Sequence, residues 1–136
     1  MRSSRRRRRG FTLMEVLLVL AILVILGSLV GVSIFQMQKN ANIKAARTQI
    51  GLLEKAITAY QVDVGSYPSG LDALLAAPAD LRNQAKWSGP YLEKSQVPAD
   101  PWGNPFAYEL QSAESYRITS SGPDGQNGTA DDISST

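Results

Sequence analysis

Apolar residues form one solid block near the start of the chain and a sparse periodic pattern along the rest. Val16 to Leu26 is unbroken, and with Gly27, Ser28, Gly31 and Ser33 admitted the block continues to Phe35. Those 20 residues carry no charge, and crossing a bilayer takes roughly 20. The block is apolar on every helical face, and five consecutive arginines, Arg5 to Arg9, lie just ahead of it. A buried core helix competes with a membrane span here; the all-round apolarity and the adjoining arginines favour the span. The arginines place the N-terminus on the cytoplasmic side and the remainder across the membrane.

Beyond the block the period changes. Ile43, Ala46, Ile50, Leu53, Ile57 and Tyr60 follow alternating steps of three and four, an apolar stripe along one helical face. Lys39, Lys44, Arg47, Glu54 and Lys55 occupy other faces, and no proline occurs before Pro68. The pattern predicts one helix from about Phe11 to Val62, roughly 78 Å long at 1.5 Å per residue. Its first half would lie in lipid and its second would pack on a small domain. Gly51 is its weak point below the span, costing about 1 kcal/mol against Ala.

Val64-Gly65-Ser66-Tyr67-Pro68-Ser69-Gly70 ends that helix with turn residues. Leu71, Leu74 and Leu75 suit a short helix that Pro78 closes, and residues 79–99 read as irregular. Asp100-Pro101-Trp102-Gly103-Asn104-Pro105 is a dense turn, with Trp102 expected to be buried as its anchor. Phe106, Tyr108 and Leu110 then alternate with small or polar residues as in a half-buried strand, and Tyr116 and Ile118 suggest its partner, with Gln111 to Ser115 as the hairpin.

Charge changes the picture more than length does. The 136 residues suit one domain. The net charge of +2 conceals an asymmetry: six of the 14 basic residues lie in the first ten positions. The rest carries 8 basic residues against 12 acidic ones, a net of −4. Only the tip is basic, which argues against a nucleic-acid-binding body. The chain has no Cys and no His. That excludes a disulfide framework, thiolate chemistry, and Ser-His-Asp or His-metal sites as usually built.

The basic tip and apolar block could also be a cleaved secretory signal, with Gly31-Val32-Ser33 a poor cleavage site, or a twin-arginine signal around Arg8-Arg9-Gly10-Phe11. Glu15 strains both readings. A carboxylate at the span centre costs about 2.5–3.5 kcal/mol on insertion scales and less near the interface, and a discarded signal has little reason to carry one.

Gly10-Phe11-Thr12-Leu13-Met14-Glu15 followed by the apolar block resembles the prepilin leader of type IV pilins and type II secretion pseudopilins. The resemblance implies that a prepilin peptidase cuts between Gly10 and Phe11 at the cytoplasmic face. Phe11 is then N-methylated, and Glu15 becomes the fifth mature residue. In a filament Glu15 would pair with the terminal amine of a neighbouring subunit; its own helix N-terminus compensates it in part through the dipole. The residues alone also allow Glu15 simply to reach the headgroups. Tyr67-Pro68, the Leu71–Leu75 stretch and Asp100-Pro101-Trp102-Gly103 extend the likeness over nearly the whole mature chain, and resemble the major pseudopilin of type II secretion, the general secretion pathway protein G family.

The last motif is Ser121-Gly122-Pro123-Asp124-Gly125-Gln126-Asn127-Gly128-Thr129-Ala130-Asp131-Asp132, with three carboxylates in nine residues among glycines that allow tight turns. It is not an EF-hand: Gly128 is out of register, and Ser135 stands where the bidentate Glu belongs. From the residues alone, a solvated acidic turn and a calcium loop both stand open, since calcium takes six to eight mixed carboxylate and carbonyl oxygens. The resemblance implies calcium, held by the side chains of Asp124, Asp131 and Asp132 with carbonyls of Ser121, Gln126 and Thr129.

The expected fold is α+β and type IV pilin-like: a long N-terminal helix, its first half transmembrane, packed on a small antiparallel sheet with a C-terminal calcium loop. The expected divisions are 1–10 as cleaved leader, 11–35 as the transmembrane and assembly half of the helix, and 36–136 as a periplasmic domain. The implied function is a structural subunit, not an enzyme. It would polymerise with itself and with minor pseudopilins into a pseudopilus that drives folded proteins through the outer membrane. Its partners would be the prepilin peptidase, an inner-membrane assembly platform, a secretin and the exported proteins, with no nucleic acid. A type IV pilin for adhesion, motility or DNA uptake is the alternative, but such pilins usually close their C-terminal region with a disulfide.

Overall fold

The structure, a computed structural model, describes residues 10–135; within it the side chains of 29–33 are outside the description, and the leader arginines fall among residues 1–9, which are outside it altogether. The described chain divides into two compact units, one ending at Gln38 and one beginning at Lys39.

Helix α1 spans Leu13–Val64. It begins two residues later than the pattern predicts, because Thr12 caps it. The Thr12 Oγ1 accepts from the Glu15 N–H at 3.3 Å while the Glu15 carboxylate accepts from the Thr12 N–H at 3.4 Å. This reciprocal pair is a capping box, satisfying two amides that the helix start would otherwise orphan. At the other end Gly65 takes φ +90° and its N–H bonds the Gln61 carbonyl at 2.8 Å. A left-handed residue just past the last turn is the usual work of glycine, which lacks the Cβ that opposes it.

In the second unit the predicted stripe is the buried face. Ala46, Ile50, Leu53, Ala56, Ile57 and Tyr60 are buried, with Ile43 packed against them. They meet Leu71, Ala73 and Leu74 from the following loop and Phe106, Ile118 and Ile133 from the sheet region. The Leu71–Leu74 stretch is a single 3-10 turn, shorter than the helix predicted there, and a second such turn spans Gln84–Lys86 inside the segment read as irregular. The sheet has strands β1 (Ala107–Ser112), β2 (Ser115–Ser120) and β3 (Ile133–Ser134) in that order, all antiparallel. Tyr108 lies opposite Ile118, and Leu110 opposite Tyr116. Two residues of β3 escaped the sequence reading, since a strand so short has no alternation to detect.

The long loop between α1 and β1 is tied down by its aromatic residues. The Trp87 indole N–H donates to the Ala73 carbonyl at 2.9 Å, and the Tyr91 hydroxyl donates to Asp63 at 2.9 Å. The Tyr108 hydroxyl reaches the Pro68 carbonyl at 2.8 Å, and burial pushes that phenol up to about 12. Trp102 is half-buried against the core, not enclosed as predicted, because its turn lies at the domain surface.

Candidate functional site

Two regions carry the residues singled out by the sequence. The first is the start of α1. Gly10 and Phe11 are exposed and precede the helix. A Cβ at Gly10 would meet nothing within 4 Å, so the structure around it does not demand glycine. Glu15 is exposed, and its carboxylate is engaged in the capping box with Thr12. The sequence carries that signal as Thr12-x-x-Glu15, the spacing of a capping box.

The apolar side chains that follow are open. Leu17 is 52% exposed, and Leu18, Leu23 and Ile25 are more so. Among the described residues no helix is long and apolar enough to cross a membrane. The predicted span of 16–35 includes 29–33, whose side chains are outside the description, so the described apolar stretch stops at Ser28.

The second region is the loop between β2 and β3. Its foot is a clamp. Asp100 is 5% exposed, and its carboxylate accepts from the Ser120 hydroxyl at 2.6 Å and from the N–H groups of Trp102 and Asn104 at 3.1 and 2.8 Å. The Ser120 Oγ in turn accepts from the Gly122 N–H at 3.3 Å. One buried carboxylate thus joins the Asp-Pro-Trp-Gly-Asn turn to the point where the acidic loop leaves the sheet. Sequence reasoning missed both Asp100 and Ser120 as site residues; the signal was the turn-forming Asp with donors two and four residues on.

Glycines then fold the loop back. Gly122, Gly125 and Gly128 take φ of +64°, +69° and +90°. At Gly122 a Cβ would stand 2.5 Å from the Asp131 carbonyl oxygen, so only glycine lets the two arms of the loop close. Thr129 sits between the acids: its hydroxyl lies 2.8 Å from Asp131 Oδ1, 3.4 Å from Asp132 Oδ1 and 3.2 Å from the Gln126 carbonyl. Asp132 Oδ2 accepts from the Gly128 N–H at 2.7 Å, and Asp124 Oδ1 from the Gln126 N–H at 2.9 Å. The Thr129 hydroxyl is the first cause that holds the Asp131 carboxyl below its ordinary value. Burial opposes it, and its own N–H, the Asp124 N–H and the Asp124 side chain add to it.

The structure therefore brings Asp124 beside Asp131, and joins Asp131 to Asp132 through one hydroxyl. Among the described residues it gathers no group of three or more acids or other ligating side chains that could hold a metal. Of the three carbonyl candidates, Ser121 is buried at the loop's foot, that of Gln126 accepts from Thr129, and that of Thr129 accepts from the Asp132 N–H at 3.4 Å. The donors are all hard oxygens, the chemistry that suits calcium.

A long capped helix whose second part packs on a three-stranded antiparallel sheet, closed by an acidic glycine-rich loop, defines a pilin-like subunit. Residues 5–31 match the prokaryotic N-terminal methylation motif. The crystal structure of the major pseudopilin from the type 2 secretion system of enterohaemorrhagic Escherichia coli superposes with a TM-score of 0.62 at 28% identity, covering 74% of this chain and 90% of that one. Type II secretion system core protein G of Aeromonas hydrophila is 39% identical over 96% of this chain and 93% of its own length. That of Pseudomonas aeruginosa is 35% identical over 94% and 92%. Residues 33–136 match the model of type II secretion system protein G. The chain belongs to the type II secretion system protein G family.

Proposed function

We infer that this chain is the repeating structural subunit of a type II secretion pseudopilus, polymerising in the periplasm to drive export of folded proteins through the outer membrane. The observation that carries this reading is the open apolar half of α1 in a chain of this family. Exposed apolar patches beyond a few hundred Å² are rare on soluble monomers and mark a membrane or a partner. Lipid would cover these side chains before assembly, with residues 11–35 spanning the inner membrane, the N-terminus cytoplasmic and residues 36–136 periplasmic. Other copies and minor pseudopilins would cover them afterwards.

In this reading a prepilin peptidase removes residues 1–10 and Phe11 is N-methylated. Cleavage discards the six leader arginines and leaves a terminal amine four residues from Glu15. That carboxylate would then exchange its capping role for the amine of a neighbouring copy as the inner-membrane assembly platform adds subunits beneath a secretin. The part of the chain is mechanical and not enzymatic.

The C-terminal loop would hold calcium through Asp124, Asp131 and Asp132, with carbonyls of Ser121, Gln126 and Thr129. The ion would supply positive charge to a cluster of acids that otherwise repel. The chain's own residues do the rest: the Asp100–Ser120 clamp fixes the loop's foot, Gly122 lets its arms close, and Thr129 orients Asp131. A type IV pilin role is the weaker reading, because the chain has no Cys for the disulfide such pilins carry.

The test is to express the full chain with and without a type II assembly machinery. Intact-mass analysis of the membrane-extracted protein is expected to show a chain starting at Phe11 with one added methyl, and shearing is expected to release filaments only with the machinery present. A start after Ser33, or filaments formed equally well without the machinery, would overturn the reading.

A further inference from the structure

A groove of ≈ 480 Å³ runs along the second unit between α1 and the loop segment 91–98. Its apolar floor includes Leu52, Leu92 and Pro98, and Leu52 is 57% exposed. Gln49 also lines it, and the Gln49 Oε1 is the buried side-chain oxygen for which no donor is found among the described residues. An unsatisfied buried acceptor is unfavourable; a turn of the Gln49 side chain toward the groove would present it to an occupant that brings an N–H. Glu93 stands exposed at the rim. The groove therefore asks for an apolar side chain, an amide donor and a cation, close together.

One stretch of α1 offers that set. Phe35, Gln36 and Lys39 lie within a 100° arc of the helix at 100° per residue. Phe35 is 79% exposed, and Gln36 and Lys39 are exposed as well. We propose that the Leu52–Leu92–Pro98 groove of one copy receives the Phe35–Lys39 face of α1 from a second copy. Phe35 enters against Leu52, the Gln36 amide donates to Gln49 Oε1, and Lys39 pairs with Glu93. This contact rests on the pseudopilus reading and specifies where one copy's domain grips its neighbour's helix.

The absence of cysteine in the sequence makes the test direct. Two differently tagged full-length copies, one with Phe35→Cys and one with Leu92→Cys, are expressed together with the assembly machinery and oxidised. A disulfide-linked heterodimer carrying both tags is expected, at least tenfold above the same tagged pair with either cysteine left out. Glu93→Lys and Lys39→Glu are each expected to lower filament yield severalfold, and together in one chain to restore it. Leu52→Glu is expected to lower yield while leaving the monomer's melting unchanged, since that side chain lies outside the core. Filaments at normal yield without the crosslink and with Leu52→Glu tolerated would overturn the groove contact while leaving the pseudopilus reading intact. Leu92→Cys linking to some other protein and not to Phe35→Cys would overturn it likewise. No filament from the unsubstituted chain would overturn the function, and the contact with it.

Discussion

Asp100→Ala tests whether one buried carboxylate holds the C-terminal loop in place. The substitution removes the acceptor for three donors: the Ser120 hydroxyl and the Trp102 and Asn104 amides. Hydrogen bonds to a charged group contribute about 1.5–3 kcal/mol each. Three would exceed any single-residue effect normally seen. Against them stands the desolvation of the carboxylate, several kcal/mol for an ion withdrawn from water, which the substitution relieves. The net expectation is a loss of about 3–5 kcal/mol, in the range where a buried charge-assisted network has been broken. A chain from residue 36 contains every buried core residue and suits the measurement. For a domain of about 100 residues each kcal/mol moves the Tm by about 4–8 °C, so the drop should reach about 15 °C or more.

Urea denaturation followed by tryptophan fluorescence reads the loss directly, since Trp102 belongs to the clamped turn. Asp100→Asn keeps an oxygen for the two amides but sets an NH2 where the Ser120 hydroxyl donates, giving up the charge and that one bond, so it should lose about half as much. Ser120→Ala combined with Asp100→Ala should cost less than the two separate losses added, because they share one bond. An Asp100→Ala loss under about 1 kcal/mol would refute the clamp. The Ser120–Asp100 contact would then be a consequence of loop position and not its cause.

Three further outcomes follow from the same geometry. Gly51→Ala should stabilise the domain by about 1 kcal/mol, because Gly51 is helical and an added Cβ would meet nothing within 4 Å; a thermal melt checks it. The domain should melt higher in calcium than in chelator, by about 2.7 kcal/mol at a hundredfold excess over Kd, with magnesium a poor substitute. Asp124→Ala should abolish that shift; its carboxylate also accepts from the Gln126 N–H at 2.9 Å, so the melt of the variant in chelator sets the baseline. Finally, the depressed Asp131 carboxyl contributes stability that is present above its unfolded value of 3.8 and lost as pH falls through its lower folded value. Thr129→Val should move the Asp131 carbon-detected NMR titration back toward 3.8 and weaken that acid dependence.

The helix was legible because its information is local and repeated. Ile43 through Tyr60 state their face six times, and every one of those residues packs where the period puts it. The β1–β2 pairing was legible from its aromatic and apolar residues, but the expected alternation fails in β1, where Leu110 is exposed at the open edge of the sheet. What escaped depends on contacts distant in sequence. Asp100 meets Ser120 across 20 positions, and nothing in either neighbourhood names the other. Gly122 reads as a turn residue, while the reason only glycine fits is the Asp131 backbone nine positions on. The acidic loop was legible as chemistry but not as geometry: three aspartates are visible in the sequence, whereas their division into an Asp124–Asp131 approach and an Asp132 turned to Gly128 requires coordinates.

The Thr12–Glu15 box sharpens the question of what Glu15 is for. Replacing it with Val or Ala removes the charge and the cap together, so a failed filament would not say which loss mattered. Glutamine separates them. Gln serves at the third position of a capping box as Glu does, so Glu15→Gln should leave α1 starting at Leu13 and leave membrane insertion intact, or improved by the absence of a charge. What it cannot do is pair as an anion with a neighbour's terminal amine. Thr12→Ala makes the opposite cut: it deletes the hydroxyl of the box, worth about 1 kcal/mol of helix start, and keeps the carboxylate. Filament yield after shearing, measured beside the amount of processed chain in the membrane, decides between them. The pairing role expects Glu15→Gln to abolish filaments at normal membrane abundance and Thr12→Ala to cost little. Filaments at normal yield from Glu15→Gln, with a loss from Thr12→Ala, would make the carboxylate a helix cap and nothing more.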